Sequence, residues 1–245
     1  LEAGFDPFDL YLGVSSGACN LASHLAGQRR RNVRIYTGIM ARPEFLSFAK
    51  FVRGGNWMDL DYLWRAIDEE DPLDIPAIFR REKHDFIAVG TSAATGEPLY
   101  LRPRADDCSD VLKGSSALPF LYRGSVEVGG ERVIDGGIAD PLPAAEAFRL
   151  GARRIVVVRT RTASYRKKRG LEHSLSAFAL RGLPALSRAV KAQPAAYGRC
   201  VDFLESPPHG IEIFQIAPEA PLATSRTTQR IETLLADYEL GVKLG

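Results

Sequence analysis

Apolar positions along this chain change period, and the changes mark out its elements. A short apolar run at residues 8–13 reads as a buried parallel strand, and directly after it Ala18, Leu21, Ala22 and Leu25 recur at the spacing of one helix face. Gly27 and the run Arg29, Arg30, Arg31 predict the end of that helix, because cations favour a helix C-terminus. Residues 43–53 and 59–70 read as helices, the second with Leu60, Leu63, Trp64 and Ile67 on one face. Residues 85–91 and 98–102 read as strands around a Thr95-Gly96 turn, and a second hairpin is expected around Gly129-Gly130. Between the hairpins, a helix is expected over 106–113 and a loop over 114–119. Asp140 is expected to cap a helix with proline at its first position, running to about Leu150 and closed by Gly151. The β-branched run at 155–158 reads as a buried strand, residues 211–216 as the last strand and 226–240 as the last helix.

Two stretches are less regular. Residues 161–200 have loose periodicity, with a helix expected near 171–180, followed by Pro184 and Pro194. Residues 1–4 read as the last turn of a helix stopped by Gly4, so the chain is expected to begin inside its domain. Alternation of strands and helices from end to end predicts a layered α/β fold. With no internal repeat and no low-complexity linker, a single domain over residues 1–245 is expected.

Composition narrows the class. With 245 residues, 45% apolar and 25% charged, the chain is neither a collagen, a disordered tail nor a disulfide-stapled mini-protein. A domain of this size buries about three quarters of the surface its unfolded chain exposes. The formal net charge of +2 gives no bulk argument for nucleic acid. The distribution matters more: residues 59–74 are acidic, whereas 151–200 carry twelve Lys and Arg against one acid, Glu172. Such a cluster attracts anionic lipid headgroups at about 1 kcal/mol per charge near the surface; a solvated face balancing the acidic stretch is the plainer alternative. No nucleic-acid motif or interleaved aromatics accompany it, so no nucleic-acid partner is expected. Cys19, Cys108 and Cys200 are far apart and form no CxxC, which predicts a reducing compartment, no metal site and no cofactor. No run reaches the 18 apolar residues of a membrane span, and no secretory leader is expected. A cytoplasmic protein is therefore expected, with peripheral attachment to an anionic membrane surface left open.

The chemistry centres on Gly13-Val14-Ser15-Ser16-Gly17, which fits G-x-S-x-G, the strand-to-helix elbow that exposes a serine hydroxyl on a strained turn. A strand-like run before it and a helical pattern after it supply the context the motif needs. Gly13 and Gly17 are expected where strand and helix crowd the turn. The Ser16 N–H, at the helix N-terminus, would face the negative charge of a tetrahedral intermediate. For a base, His24 lies within the elbow helix, His84 precedes any downstream acid and His173 sits in the basic stretch. His209 is the best placed of the four, but it comes before the last strand rather than after it. The alternative is Asp135, at the end of an apolar run and followed by Gly136 and Gly137. Taken alone, Asp-Gly-Gly is also an ordinary turn.

Three segments in order, Gly13-Val-Ser-Ser-Gly-Ala18, Ser115-Ser-Ala-Leu-Pro119 and Val133-Ile-Asp-Gly-Gly-Ile-Ala-Asp-Pro-Leu-Pro143, resemble the bacterial patatin-like phospholipases. The resemblance covers most of the chain to about residue 160. It implies a three-layer α/β/α fold with a mostly parallel central sheet, and activity on fatty-acyl esters of lipids. It also implies a catalytic dyad in which Ser15 pairs directly with Asp135. The family's glycine-rich oxyanion loop belongs upstream of the elbow and has no counterpart here, so a chain lacking that strand and loop is expected. A catalytically incomplete lipid- or membrane-binding protein with a basic C-terminal region is the alternative. Malonyl transferases share a related elbow but have His before the serine, where Val14 stands here.

Overall fold

The computed structural model describes residues 6–80, 84–168, 170, 180 and 182–245. The strands are β1 (Leu10–Val14), β2 (Asp85–Ser92), β3 (Pro98–Leu101), β4 (Val126–Val128), β5 (Glu131–Asp135), β6 (Arg154–Val158) and β7 (Glu212–Ile216). The helices are α1 (Ser16–Leu25), α2 (Arg31–Thr37), α3 (Phe48–Val52), α4 (Leu60–Glu70), α5 (Ile75–Phe79), α6 (Cys108–Ser115), α7 (Ala144–Arg149), α8 (Pro184–Glu205) and α9 (Ile231–Leu244).

One strand organises the site. β1 runs parallel to β2, with Val14 opposite Val89. β5 runs antiparallel to β2, with Asp135 opposite Gly90. β3 pairs with β2 over residues 88–91 and so overlaps both partners in register. A strand has only two edges; β3 therefore occupies one, and β1 and β5 lie end to end along the other. Their C-terminal ends meet over Val89 and Gly90. β4 continues the sheet beyond β5, while β6 and β7 form a separate parallel pair. The sheet is thus mixed, with antiparallel hairpins where a mostly parallel order was expected.

Helices cover both faces, giving the α/β fold in three layers. On one face Tyr11, Phe86 and Ala88 pack with Ala18, Ala22 and Leu25 of α1, Ile78 of α5 and Val111 and Leu112 of α6. On the other, Leu10 and Leu12 join Ala144 and Ala147 of α7, Leu204 of α8, Ile155 of β6 and Ile213 of β7. The alternation along β1 that sends Tyr11 to one side and its neighbours to the other is the two-residue period of a strand buried on both faces.

Several expectations change. The arginine run does not end a helix: Arg30 at φ 59° breaks the chain and Arg31 starts α2. Arg31 is buried, donating to the Asp71 carbonyl at 3.0 and 2.8 Å and to Ser23 Oγ at 3.1 Å. Asp140 does not cap α7, which Pro143 precedes; its carboxylate accepts from the Tyr100 hydroxyl at 2.7 Å instead. β6 is largely exposed, Val158 at 73%, because it pairs only with β7. The irregular stretch after residue 180 contains α8, whose Leu186, Val190, Tyr197, Val201 and Leu204 form a buried stripe through Pro194. α9 starts five residues later than the pattern suggested. The expected turn at 1–4 and the helix near 171–180 lie outside the described residues. Among the described residues, no helix is long and apolar enough to cross a membrane.

Candidate active site

Ser15 links β1 to α1 with φ 54° and ψ −127°, a conformation L side chains rarely adopt and that costs about 1–3 kcal/mol. The surroundings enforce it. Ser15 N–H donates to Ser115 Oγ at 3.0 Å, and that hydroxyl donates to the Val89 carbonyl at 2.6 Å. The Ser15 carbonyl accepts from Ala18 N–H at 2.9 Å, starting α1. A Cβ on Gly13 would lie 2.4 Å from Ala18 Cα, so glycine is required there. At Gly17 a Cβ would meet nothing within 4 Å, which corrects the expectation that both glycines answer crowding.

Asp135 ends β5 and is 4% exposed. Its carboxylate accepts from Gly137 N–H at 2.8 Å and lies near enough to the Ser15 side chain for that group to favour its ionised form. Its backbone is fixed on both sides: its N–H donates to the Ala117 carbonyl at 3.0 Å and its C=O accepts from Thr91 Oγ1 at 2.9 Å. A Cβ on Gly136 would fall 2.1 Å from the Val89 carbonyl, so only glycine lets this turn press against β2. Burial pushes the Asp135 carboxyl above the usual aspartate range; the Ser15 and Gly137 donors and the charges of Arg226 and Lys167 act against it. Ser15 and Asp135 thus come together, as the sequence suggested.

The histidines do not join them. His24 pairs with Asp6 at 3.3 Å, His84 Nδ1 lies 2.5 Å from the Phe8 carbonyl and His209 is exposed, while His173 is outside the described residues. Cys19 lines the same cavity as Ser15, but burial pushes its thiol up and away from the reactive thiolate. Sequence reasoning quoted Ser115 within a family segment without a role; here it holds the elbow. It also missed Gln193 of α8, whose Nε2 donates to the Gly137 carbonyl at 2.6 Å. A glutamine inside an irregular, proline-containing stretch carries no motif signal.

Ser15, Ser16, Asp135 and Gly137 open into a cavity of about 650 Å³. Its lining combines an apolar cluster, with Ile35, Met40, Leu46, Met58, Leu63 and Trp64, and polar groups that include Arg31, Arg161, Lys167, Arg226 and several hydroxyls. This volume and lining suit a ligand with a hydrocarbon chain and a polar end. The expected cationic face is more dispersed than its composition implied. Arg154 pairs with Glu212 and Arg166 with Glu205, acids that follow residue 200, and Arg159 is buried against Gln215 and Tyr197. Arg169 and Arg181 lie outside the described residues.

A family model described as patatin-like phospholipase matches residues 1–148, and one described as a domain of unknown function (DUF6363) matches residues 183–245. The uncharacterized protein YjjU of Escherichia coli (strain K12) is 34% identical over 251 aligned residues, spanning 98% of this chain and 68% of that protein.

Proposed function

Since this chain belongs to the patatin-like phospholipase family, we propose that it hydrolyses fatty-acyl esters of lipids, as a phospholipase A or lysophospholipase, with Ser15 as nucleophile and Asp135 as base. The placement of Ser15 beside the buried Asp135 carboxylate, where the ends of β1 and β5 meet and both residues line a cavity with many apolar side chains, carries this reading. Ser15 Oγ attacks the ester carbonyl carbon while its proton passes to Asp135. The oxyanion that forms is held by the Ser16 N–H in the first turn of α1, where no intrahelical acceptor competes. A second donor is required, for which the family's glycine-rich loop is expected. Collapse breaks the bond to the alcohol, which leaves with the proton from Asp135. Water then attacks the acyl-enzyme, giving its proton to Asp135; the fatty acid departs and the proton returns to Ser15.

Buried Asp135 suits this work, because a carboxylate held above its usual range accepts a proton more readily near neutral pH. Peripheral contact with an anionic lipid surface, expected from the basic residues between 151 and 200, belongs to the same proposal. The test is hydrolysis of a lysophospholipid by the full-length protein and its Ser15→Ala, Asp135→Asn and His209→Ala variants. Loss of at least about a thousandfold in kcat/KM is expected for the first two and near-normal turnover for the third. Activity surviving Ser15→Ala, or lost in His209→Ala, overturns the dyad.

A further inference from the structure

The polar end of the cavity comes from residues after 148, beyond the stretch that matches the phospholipase family. Three cations line it. Lys167 Nζ donates to Gln193 Oε1 at 2.7 Å, and Gln193 in turn binds the Gly137 carbonyl, so the ammonium is tied to the turn that holds Asp135. The Arg161 guanidinium lies over the Tyr165 ring, 5.1 Å from its centroid, and is exposed at the rim. Arg226 is exposed and lies in the segment that matches the domain of unknown function. Two acids share this end. Asp135 belongs to the dyad, and Asp237 accepts from the backbone N–H of Thr224 at 2.8 Å and Ala223 at 3.4 Å. Asp68 lines the cavity from α4, in the apolar half. Among the described residues this end therefore carries three cations against two acids, while Arg31, paired with Asp71, lines the cavity from α2, and the apolar cluster in the same cavity fits an acyl chain.

We propose that Lys167, Arg226 and Arg161 form a subsite for a phosphate carried beside the scissile ester, and that the substrates are net-anionic glycerophospholipids rather than zwitterionic or neutral acyl esters. This rests on the acyl-hydrolase reading and gives the C-terminal segment the task of headgroup selection. Two further facts support it. Lys167, Arg226 and Ser15 line one cavity, and Lys167 is linked through Gln193 to the turn that follows Asp135, so the cations share the space that an ester at Ser15 would enter. Charge-assisted contacts from ammonium and guanidinium groups are the usual means of phosphate recognition. A choline headgroup would place its own cation against the same three charges.

Binding is measured first, on the full-length protein carrying Ser15→Ala to prevent turnover, with dodecyl phosphate and dodecyl phosphocholine as probes of equal chain length. Dodecyl phosphate is expected to bind at least tenfold more tightly, and the preference is expected to collapse in Arg226→Ala and Lys167→Ala. Arg226→Lys is expected to restore part of it. Equal affinity for the two probes, or an undiminished preference in both alanine variants, overturns the subsite. Inorganic phosphate has no chain for the apolar wall and is expected to compete at least a hundredfold more weakly; competition at similar concentration would make this a site for free phosphate and sink the lipid assignment. Turnover is measured second, with wild-type protein on lysophosphatidylglycerol, lysophosphatidylcholine and monoacylglycerol of one chain length. A tenfold fall in the anionic-to-neutral ratio of kcat/KM in Arg226→Ala supports the subsite, whereas an equal loss on all three esters overturns it. Selective dodecyl phosphate binding without hydrolysis of any ester would retain the subsite and reject the hydrolase.

Discussion

At the level of single residues, the elbow separates two glycines that the motif treats alike. Gly13 faces backbone, and no side-chain motion can relieve a Cβ 2.4 Å from Ala18 Cα. Gly13→Ala is expected to destabilise by about 3 kcal/mol. Gly17 lies in the first turn of α1 with open space around it, so Gly17→Ala is expected to be neutral or to stabilise by up to about 1 kcal/mol. Denaturant midpoints of the two variants check this directly. Asp135 has a different cost. Its folded-state pKa is raised, chiefly by burial, so the folded protein holds this proton to higher pH than the unfolded chain does. Stability is therefore lost as pH rises from below the ordinary aspartate value through the raised one. Asp135→Asn is expected to be more stable than wild type at pH 7, with the gap closing in acid, as read from thermal midpoints across pH. Ser15 stood out in the sequence through the G-x-S-x-G spacing, whereas Asp135, in an Asp-Gly-Gly that alone is an ordinary turn, was singled out by the family resemblance. Ser115 was legible only as part of a segment, because a hydroxyl bridging two backbone groups requires the fold to bring residues 15, 89 and 115 together.

Among the elements, α8 was the hardest to read, and it contributes Gln193 and Tyr197 to the site. Its buried stripe runs Leu186, Val190, Tyr197, Val201, Leu204, but Pro194 interrupts the middle and basic residues crowd the exposed face. Proline in a helix interior removes one hydrogen bond and crowds the preceding turn. Local preference thus argued for a break, and packing against β5, α7 and β6 overrode it. Pro194→Ala is expected to stabilise the protein by about 1–3 kcal/mol. Since Gln193 bonds the Gly137 carbonyl, the same variant is expected to shift kcat while leaving the fold intact; unfolding curves and steady-state kinetics on one preparation separate the two. The hairpins were legible for the opposite reason. Gly96, Gly129 and Gly130 all have positive φ, and short turns of that kind announce themselves in sequence.

Across the whole molecule, the α/β alternation and the two antiparallel hairpins were legible, but the antiparallel pairing of β5 with β2 was not, since it depends on which edge of β2 each distant partner finds. The β6 and β7 pair makes no ladder with the larger sheet, and the shared cluster of Leu10, Leu12, Ala144, Ala147, Ile155 and Leu204 joins the two. Leu204→Ala is expected to cost about 2–5 kcal/mol, and amides of β6 and β7 are expected to exchange with solvent well before those of β2. Uniform protection across both sheets would contradict this division. Exposure of Val156, Val158 and Phe214 on the smaller pair points the same way.

The end-to-end meeting of β1 and β5 along β2 has a kinetic consequence. Three strands far apart in the chain must pair before Ser15 can face Asp135, and each pairing closes a long loop whose entropy is spent before any contact repays it. Trp57, by contrast, packs against Phe48 and Phe51 within its own segment, whereas Trp64 joins the long-range core. During refolding of a Trp64→Phe variant, Trp57 fluorescence is expected to recover first and ester hydrolysis last, with the lag between the two signals measuring how long the chain takes to close its long loops.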